Sequence, residues 1–305
     1  MTIRCEGTLD QAMRLRQRVA AAARVTPAVQ PHVPNTIAVS GGKGGVGKSN
    51  ISLNLAHCLA GRGHRVMLVD TDFGLSNLDV LLGVSPRFDL GDVIEGRCDP
   101  ADALMTLPSG ISLLVGGDFA DGDSPTPDRV RTLLGALSAQ MAEVDCVIID
   151  TRAGLSDTVM AFLLAADTMI MVSTAEPTSI LDTYRTVKRL CSLRADGSLG
   201  IVMNRCEPRE ARRAYRSLAG MMRRFLGRDT VFLGSIPDDA RVVAAVRRQV
   251  PFLELYPSCR ASLGIGKLAA EICGDLPDEG PEPGGFLGRL ARHLLGAKAI
   301  AGHDN

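Results

Sequence analysis

The stretch Ile37-Ala-Val-Ser-Gly-Gly-Lys-Gly-Gly-Val-Gly-Lys-Ser49 decides the fold. Ile37–Ser40 reads as a short buried strand, and the residues from about Asn50 onward read as a helix. Between them, Gly42, Gly47, Lys48 and Ser49 satisfy G-x4-G-K-[ST]. In such a loop the glycines let successive backbone N–H groups curl around phosphate oxygens, here those of Gly42, Gly44, Gly45, Val46 and Gly47. Lys48 then neutralises the outer phosphates and Ser49 offers a hydroxyl to Mg²⁺. Gly42, Gly44 and Gly47 also spell G-x-G-x-x-G, with Asp70 ending the next strand, which is a dinucleotide pattern. Lys48-Ser49 argues against that reading, because a dinucleotide needs neither a lysine nor a hydroxyl aimed at a terminal phosphate and a metal.

Outward from the loop the chain alternates strand and helix. Apolar runs occur at Thr36–Ser40, Arg65–Asp70, Ile111–Val115, Asp145–Asp150, Thr168–Ser173, Gly200–Asn204 and Thr230–Leu233. Continuous apolar strands separated by helices predict an α/β fold, a mostly parallel sheet flanked by helices on both faces. Five segments follow: a helix over 1–25, a Pro-rich linker at 26–34, the α/β domain at 35–275, a Pro/Gly linker at 276–285 and an amphipathic helix at 286–305.

The 305 residues suffice for one large α/β core. Thirty-four basic and 34 acidic residues cancel, which argues against a wholly basic nucleic-acid coat protein and an acidic disordered chain. Only five residues are Lys, at 43, 48, 188, 267 and 298, and two of these lie in the glycine loop. Eight Cys form no C-x2-C pair and read as buried thiols of a reducing compartment. No apolar run has the length of a membrane span and no signal peptide opens the chain, so a cytoplasmic protein is expected.

Two further strands end in carboxylates. Asp70 and Asp72 close Val69-Asp-Thr-Asp72, and Asp150 closes Asp145-Cys-Val-Ile-Ile-Asp150, followed by Thr151-Arg-Ala-Gly154. With Lys43, the loop reads K-G-G-x-G-K-S. It resembles the deviant phosphate loop of the MinD/ParA-like ATPases, and the resemblance extends over most of the chain.

That resemblance implies ATP/ADP and Mg²⁺ as cofactors and a set of roles. Lys43 reaches across a homodimer to the partner's nucleotide, offsetting charge on the transferred phosphoryl group. Asp72 orients the attacking water. Asp70 supports Mg²⁺ and its waters together with Ser49 and Asp150, and Asn77 contacts the same network. Gly154 offers a backbone N–H to the terminal phosphate. By the same resemblance Asp70–Gly83 is the first switch region and Thr151–Gly154 the second. In the second, Arg152 stands where relatives carry a small residue or Pro; it is expected to face solvent or a partner, the alternative being that it acts on phosphate as an added cation. Asn204, Pro237 and Asp238, at the ends of later strands, frame the adenine.

Within the family the chain resembles the flagellar-number ATPases FlhG and FleN. Asp10-Gln-Ala-Met-Arg-Leu-Arg16 is similar to their N-terminal D-Q-A-x-x-L-R element, which implies that Asp10, Gln11, Ala12, Leu15 and Arg16 contact an FlhF-type GTPase. Gly74–Gly83 and Glu176–Tyr184 resemble the same branch. At the C-terminus, Phe286, Leu287, Leu290 and Leu294 share one face, with Arg289, Arg292 and His293 opposite, the pattern of an interfacial helix. The expectation is an ATPase that dimerises on ATP and then lies on the inner face of the cell membrane. Its partners would be membrane lipids, the GTPase, and a flagellar switch protein or transcription regulator.

MinD-like division-site placement and ParA-like DNA partition are the alternatives. The Arg209, Arg212, Arg213, Arg216, Arg223, Arg224 stripe keeps DNA in view, while Ala214, Leu218, Met221 and Phe225 on the same helix are expected to face the core. An iron–sulfur redox ATPase is the remote alternative; it would need cluster cysteines at the dimer face, a setting that neither Cys98 nor Cys146 has in the sequence.

Overall fold

The computed structural model describes residues 34–72, 77–117, 127–193, 197–275 and 285–301. Contacts divide the chain into Met1–His32 and Val33–Asn305, and the described residues all belong to the second unit. The D-Q-A element at 10–16, the linker at 276–284 and the switch residues 73–76 lie outside the described residues.

Eight strands form one sheet in the order β3-β4-β2-β5-β1-β6-β7-β8. They are β1 (Asn35–Ser40), β2 (Val66–Asp70), β3 (Leu104–Thr106), β4 (Ser112–Leu114), β5 (Cys146–Asp150), β6 (Thr168–Ser173), β7 (Ser198–Asn204) and β8 (Val231–Ile236). All pairings are parallel except β3–β4. The fold class expected from the alternating pattern is therefore the one observed.

Two details differ from the sequence pattern. The antiparallel edge strand β3 has three residues and follows directly on a four-residue helix, too short for an apolar period to register. β8 continues past Gly234 to Ile236, because a bulge at Leu233 and the positive φ of Gly234 (129°) carry the strand through the glycine.

Side chains alternate between two cores, as strand pleating requires. Ala38, Met67, Val69, Val147 and Ile149 face one side. There they meet α3 (Leu90–Ile94), α5 (Pro127–Met141), α6 (Asp157–Ala165), α7 (Pro177–Ser192), α8 (Pro208–Leu226) and α12 (Gly285–Ala301). Ile37, Val39, Leu68, Cys146 and Ile148 face the other side, against α1 (Lys48–Ala60), α2 (Leu78–Leu82), α10 (Phe252–Leu255) and α11 (Arg260–Asp275). The remaining helices, α4 (Pro100–Ala103) and α9 (Ala240–Arg247), are short. Burial on both faces explains why the central strands read as unbroken apolar runs.

The C-terminal helix departs from its expected setting. The face assigned to lipid is turned into the protein: Phe286 is 2% exposed, Leu290 0% and Leu294 7%. They pack in the same core as α5 and α6, while Leu287 is half-buried beside them. Arg289 fixes the helix at its start, donating to the Ala165 carbonyl at 2.7 Å and pairing with Asp167. Each large apolar side chain removed from water contributes about 1.5–3 kcal/mol, and this single-copy, intramolecular contact needs no partner.

On α8 one apolar assignment is corrected. Phe225 is 65% exposed near the helix end, under the Arg224 guanidinium, and Met222 is buried instead.

Candidate nucleotide site

The sheet brings the sequence motifs to one edge. β1 lies between β5 and β6, and the loop after β1 leads into α1, so the glycines stand at the carboxyl ends of the central strands, where parallel α/β sheets bind ligands. Register places Asp150 opposite Val39 and beside Asp70. Residues about 80 positions apart in the chain thus become neighbours at one strand end.

The loop's glycines have distinct physical reasons. Gly47 caps α1 with φ of 94°, and a Cβ there would meet the Asn204 amide nitrogen at 2.4 Å. At Gly42 a Cβ would meet the Asp182 backbone at 2.2 Å. By contrast, Cβ atoms at Gly44 and Gly45 would meet nothing within 4 Å; these two face open space. They border a cavity of about 570 Å³ lined also by Gly47, Lys48, Ser49, Asp72, Asn77 and Arg152. Lys48 is 9% exposed at the N-terminus of α1, where the helix dipole adds to its charge.

Three carboxylates hold different environments. Asp150 is fully buried and pushed up to about 7, by burial first and the Asp70 charge second. Its oxygens accept from the Ser52 hydroxyl at 2.8 Å and from the Ser49 hydroxyl. Asp70 has no exposed surface, and its oxygens accept backbone N–H bonds from Asp72 (2.8 Å), Asn77 (3.2 Å) and Leu78 (3.4 Å). It therefore ties Asp72, Asn77 and Leu78 to the end of β2. Asp72 is raised by burial, then by Asp70; its Oδ1 is buried without a hydrogen bond.

A buried pair of carboxylates with a serine hydroxyl at the rim is short of positive charge. A divalent cation fits that deficit by charge and by donor type, since hard cations take oxygen ligands. Ser49 and Asp150 are the residues that would hold it, Asp70 supporting them from behind.

The structure brings most of the expected residues together and separates others. Lys43 points away from the cavity to Glu176 (3.3 Å) and Thr178 (3.4 Å) on the α7 start, and is 45% exposed. Arg152 is exposed and also lines the cavity, with its Nε 3.6 Å from Asp72 Oδ1. Gly154, with φ of 120°, follows it in the second switch. Asn204 is buried, one N–H of its amide donating to the Val46 carbonyl at 2.7 Å, which leaves its second N–H and its carbonyl oxygen for a base. Asp238 borders a second cavity of about 230 Å³ with Arg205, Glu176 and Glu210, and Pro237 precedes it on the same turn. Arg205, whose φ is 55°, lies 3.9 Å from Asp238; only the three-dimensional arrangement reveals it, because nothing in its own sequence context marks it. Cys146 sits at the opposite end of β5 from Asp150, away from this edge. Among the described residues no three His, Cys, Asp or Glu side chains group as a metal cluster, and no helix is long and apolar enough to cross a membrane.

Residues 37–252 match the family model of the CobQ/CobB/MinD/ParA nucleotide binding domain. The antiactivator FleN of Pseudomonas aeruginosa is 37% identical over 281 residues, covering 88% of this chain and 98% of that protein. The flagellum site-determining protein YlxH of Helicobacter pylori is 29% identical, covering 85% and 90%. The solved structure of the septum site-determining protein MinD from Pyrococcus horikoshii, in complex with Mg-ADP, superposes with a TM-score of 0.63 at 26% identity, covering 78% of this chain and 96% of that one. The phosphate loop, the paired strand-end carboxylates and these likenesses agree: the chain belongs to the MinD/ParA family of nucleotide-binding ATPases and is of the FlhG/FleN type.

Proposed function

We propose that this chain is an ATP-dependent dimerisation switch that controls flagellar number or placement. The observation that carries the reading is the glycine loop with its two lysines in different places. Lys48 lines the cavity, whereas Lys43 stands outside it on a salt bridge half open to water. Such an exposed pair is worth about 0–1 kcal/mol, so Lys43 leaves it at little cost for a second subunit's phosphates. Support for the flagellar role comes from the likeness to YlxH, a flagellum site-determining protein, and from the resemblance to FleN.

In this reading Mg²⁺, when bound, neutralises the outer phosphates and fixes their orientation. Ser49 and Asp150 hold it, and the N–H groups of Gly44, Gly45, Val46 and Gly47 hold the inner phosphates. Asp72 accepts a proton-bearing water's hydrogen bond and directs its attack. Asn204 offers its free carbonyl oxygen to the adenine amino group. Two copies close over two nucleotides with Lys43 exchanged between them, and turnover dissolves the pair.

The partners are an FlhF-type GTPase, engaged by Asp10–Arg16, and an anionic membrane surface. Membrane binding through Phe286, Leu290 and Leu294 requires that α12 first leave its core site, because the same side chains serve both. Two copies in a dimer bind more strongly than one through effective concentration. Sedimentation with ATP against ADP tests the switch: a dimer with ATP alone supports it, and one mass in both nucleotides refutes it. For the partner, a peptide of residues 1–25 should stimulate GTP turnover by the cognate GTPase, and no stimulation refutes that contact.

A further inference from the structure

We propose that Arg152 reads the terminal phosphate of the nucleotide, exchanging the Asp72 carboxylate for it, and so makes the site prefer a triphosphate. The proposal rests on the ATP reading of the site and adds a residue to which that reading gives no task.

Arg152 lies two residues beyond Asp150, at the end of β5, and lines the same cavity as Lys48 and the glycine loop. Its side chain is 56% exposed, and the ion pair with Asp72 is its one side-chain partner among the described residues. At 3.6 Å that pair lies beyond hydrogen-bonding distance, and Asp72 Oδ1 has no hydrogen bond from any group. Separating the two therefore breaks no hydrogen bond. A half-solvated pair of this kind is held weakly.

Phosphate is the stronger competitor. The guanidinium presents a planar fork of donors that grips two phosphate oxygens at once, and charge-assisted bonds of this type are the strong ones. The inner phosphates already have the loop N–H groups and Lys48. A diphosphate thus leaves Arg152 on Asp72. The additional phosphate of a triphosphate brings the charge that draws Arg152 off. Asp72 is then freed with an oxygen that has no other partner, at the moment when the hydrolysable group is present.

The test measures affinity, not turnover. Fluorescent-nucleotide displacement gives the ATP and ADP dissociation constants, with Mg²⁺, for the full chain and for Arg152→Ala and Arg152→Lys. The expected result is about tenfold weaker ATP binding in Arg152→Ala with ADP changed less than twofold, from the loss of one charge-assisted contact. Arg152→Lys should recover part of the loss, since it keeps the charge and not the fork. In an Asp72→Asn background ADP should bind more tightly, and adding Arg152→Ala should cancel that gain. Equal losses for ATP and ADP, or no change in either, overturn the proposal and leave the ATP site standing. A wild-type chain that binds neither nucleotide overturns the reading of the site itself, and this inference with it. Because Arg152 is half exposed in a loop, unchanged thermal melting of the variants identifies the effect as local.

Discussion

Leu290→Ala puts the docking of the C-terminal helix to a quantitative test. Leu290 is fully buried, in one core with α5 and α6, on the face that the amphipathic pattern assigns to lipid. Truncation to Ala removes buried methyl groups and leaves a cavity that the packed sheet and helices fill only in part. Losses at such sites run at about 2.5–5 kcal/mol. For a domain of this size that corresponds to a fall in Tm of roughly 5–15 °C. Leu287, half-buried on the same helix, should cost well under half as much when truncated. Phe225, also apolar but 65% exposed, should cost close to nothing. Urea unfolding followed by circular dichroism reads all three, and an unchanged m-value shows that the native state is otherwise intact. If Leu290→Ala lowers stability by less than about 1 kcal/mol, no more than the exposed control, the helix is not part of the core and the argument from burial fails. Hydrogen exchange on the same variant distinguishes local release from global loss. Protection lost in 285–301 alone marks a docked arm, and protection lost throughout α6 marks an integral core element.

Lys43→Ala should keep nucleotide binding and lose the ATP-dependent dimer; an intact dimer in sedimentation contradicts the exchange of Lys43 between subunits. Asp72→Ala should bind ATP and turn it over at least about 100-fold more slowly, the range for losing a positioned acid–base group; wild-type phosphate release excludes Asp72 from the reaction. Gly47→Ala should destabilise the nucleotide-free chain by about 1–3 kcal/mol, since φ is 94° and the new Cβ displaces the Asn204 amide from Val46. A thermal melt with no shift excludes that clash. The nucleotide-free chain should also lose stability as pH rises through about 7. Burial raises Asp150 to about 7 when folded, above the carboxylate range of the unfolded chain. Between those values the folded state holds the extra proton, so its contribution is full below the unfolded carboxylate pKa, declines as pH rises toward about 7 and is gone above it. Urea midpoints at pH 5.5 and 8.5 should converge in Asp150→Asn, and an unchanged gap in that variant removes Asp150 as the cause.

Much of the site was legible in one line of sequence because it is local. A phosphate cradle needs glycine conformations, one lysine and one hydroxyl within nine residues, and a strand and a helix on either side. Asp70 and Asp150 could also be anticipated, because parallel strands bring their carboxyl ends to one edge whichever order they take. Roles were harder. Asp70 is occupied by three backbone N–H groups, and Asn204 by the Val46 carbonyl, and no spacing along the chain reveals such partners. Arg152 is exposed, and its place beside Asp72 at the cavity was hidden for the same reason: which charge lies near a loop residue depends on the tertiary structure.

By itself, the sequence determined the α/β class, the phosphate loop and its two lysines, since apolar period, backbone freedom and charge are properties of neighbouring residues. The tertiary structure alone decided what the C-terminal helix covers. An amphipathic face is equally suited to a lipid surface and to a core, because burial stabilises apolar area without regard to what replaces the water. Only the groove beside α6, and the Asp167 carboxylate waiting for Arg289, settle that in this state the face is spent on the protein itself.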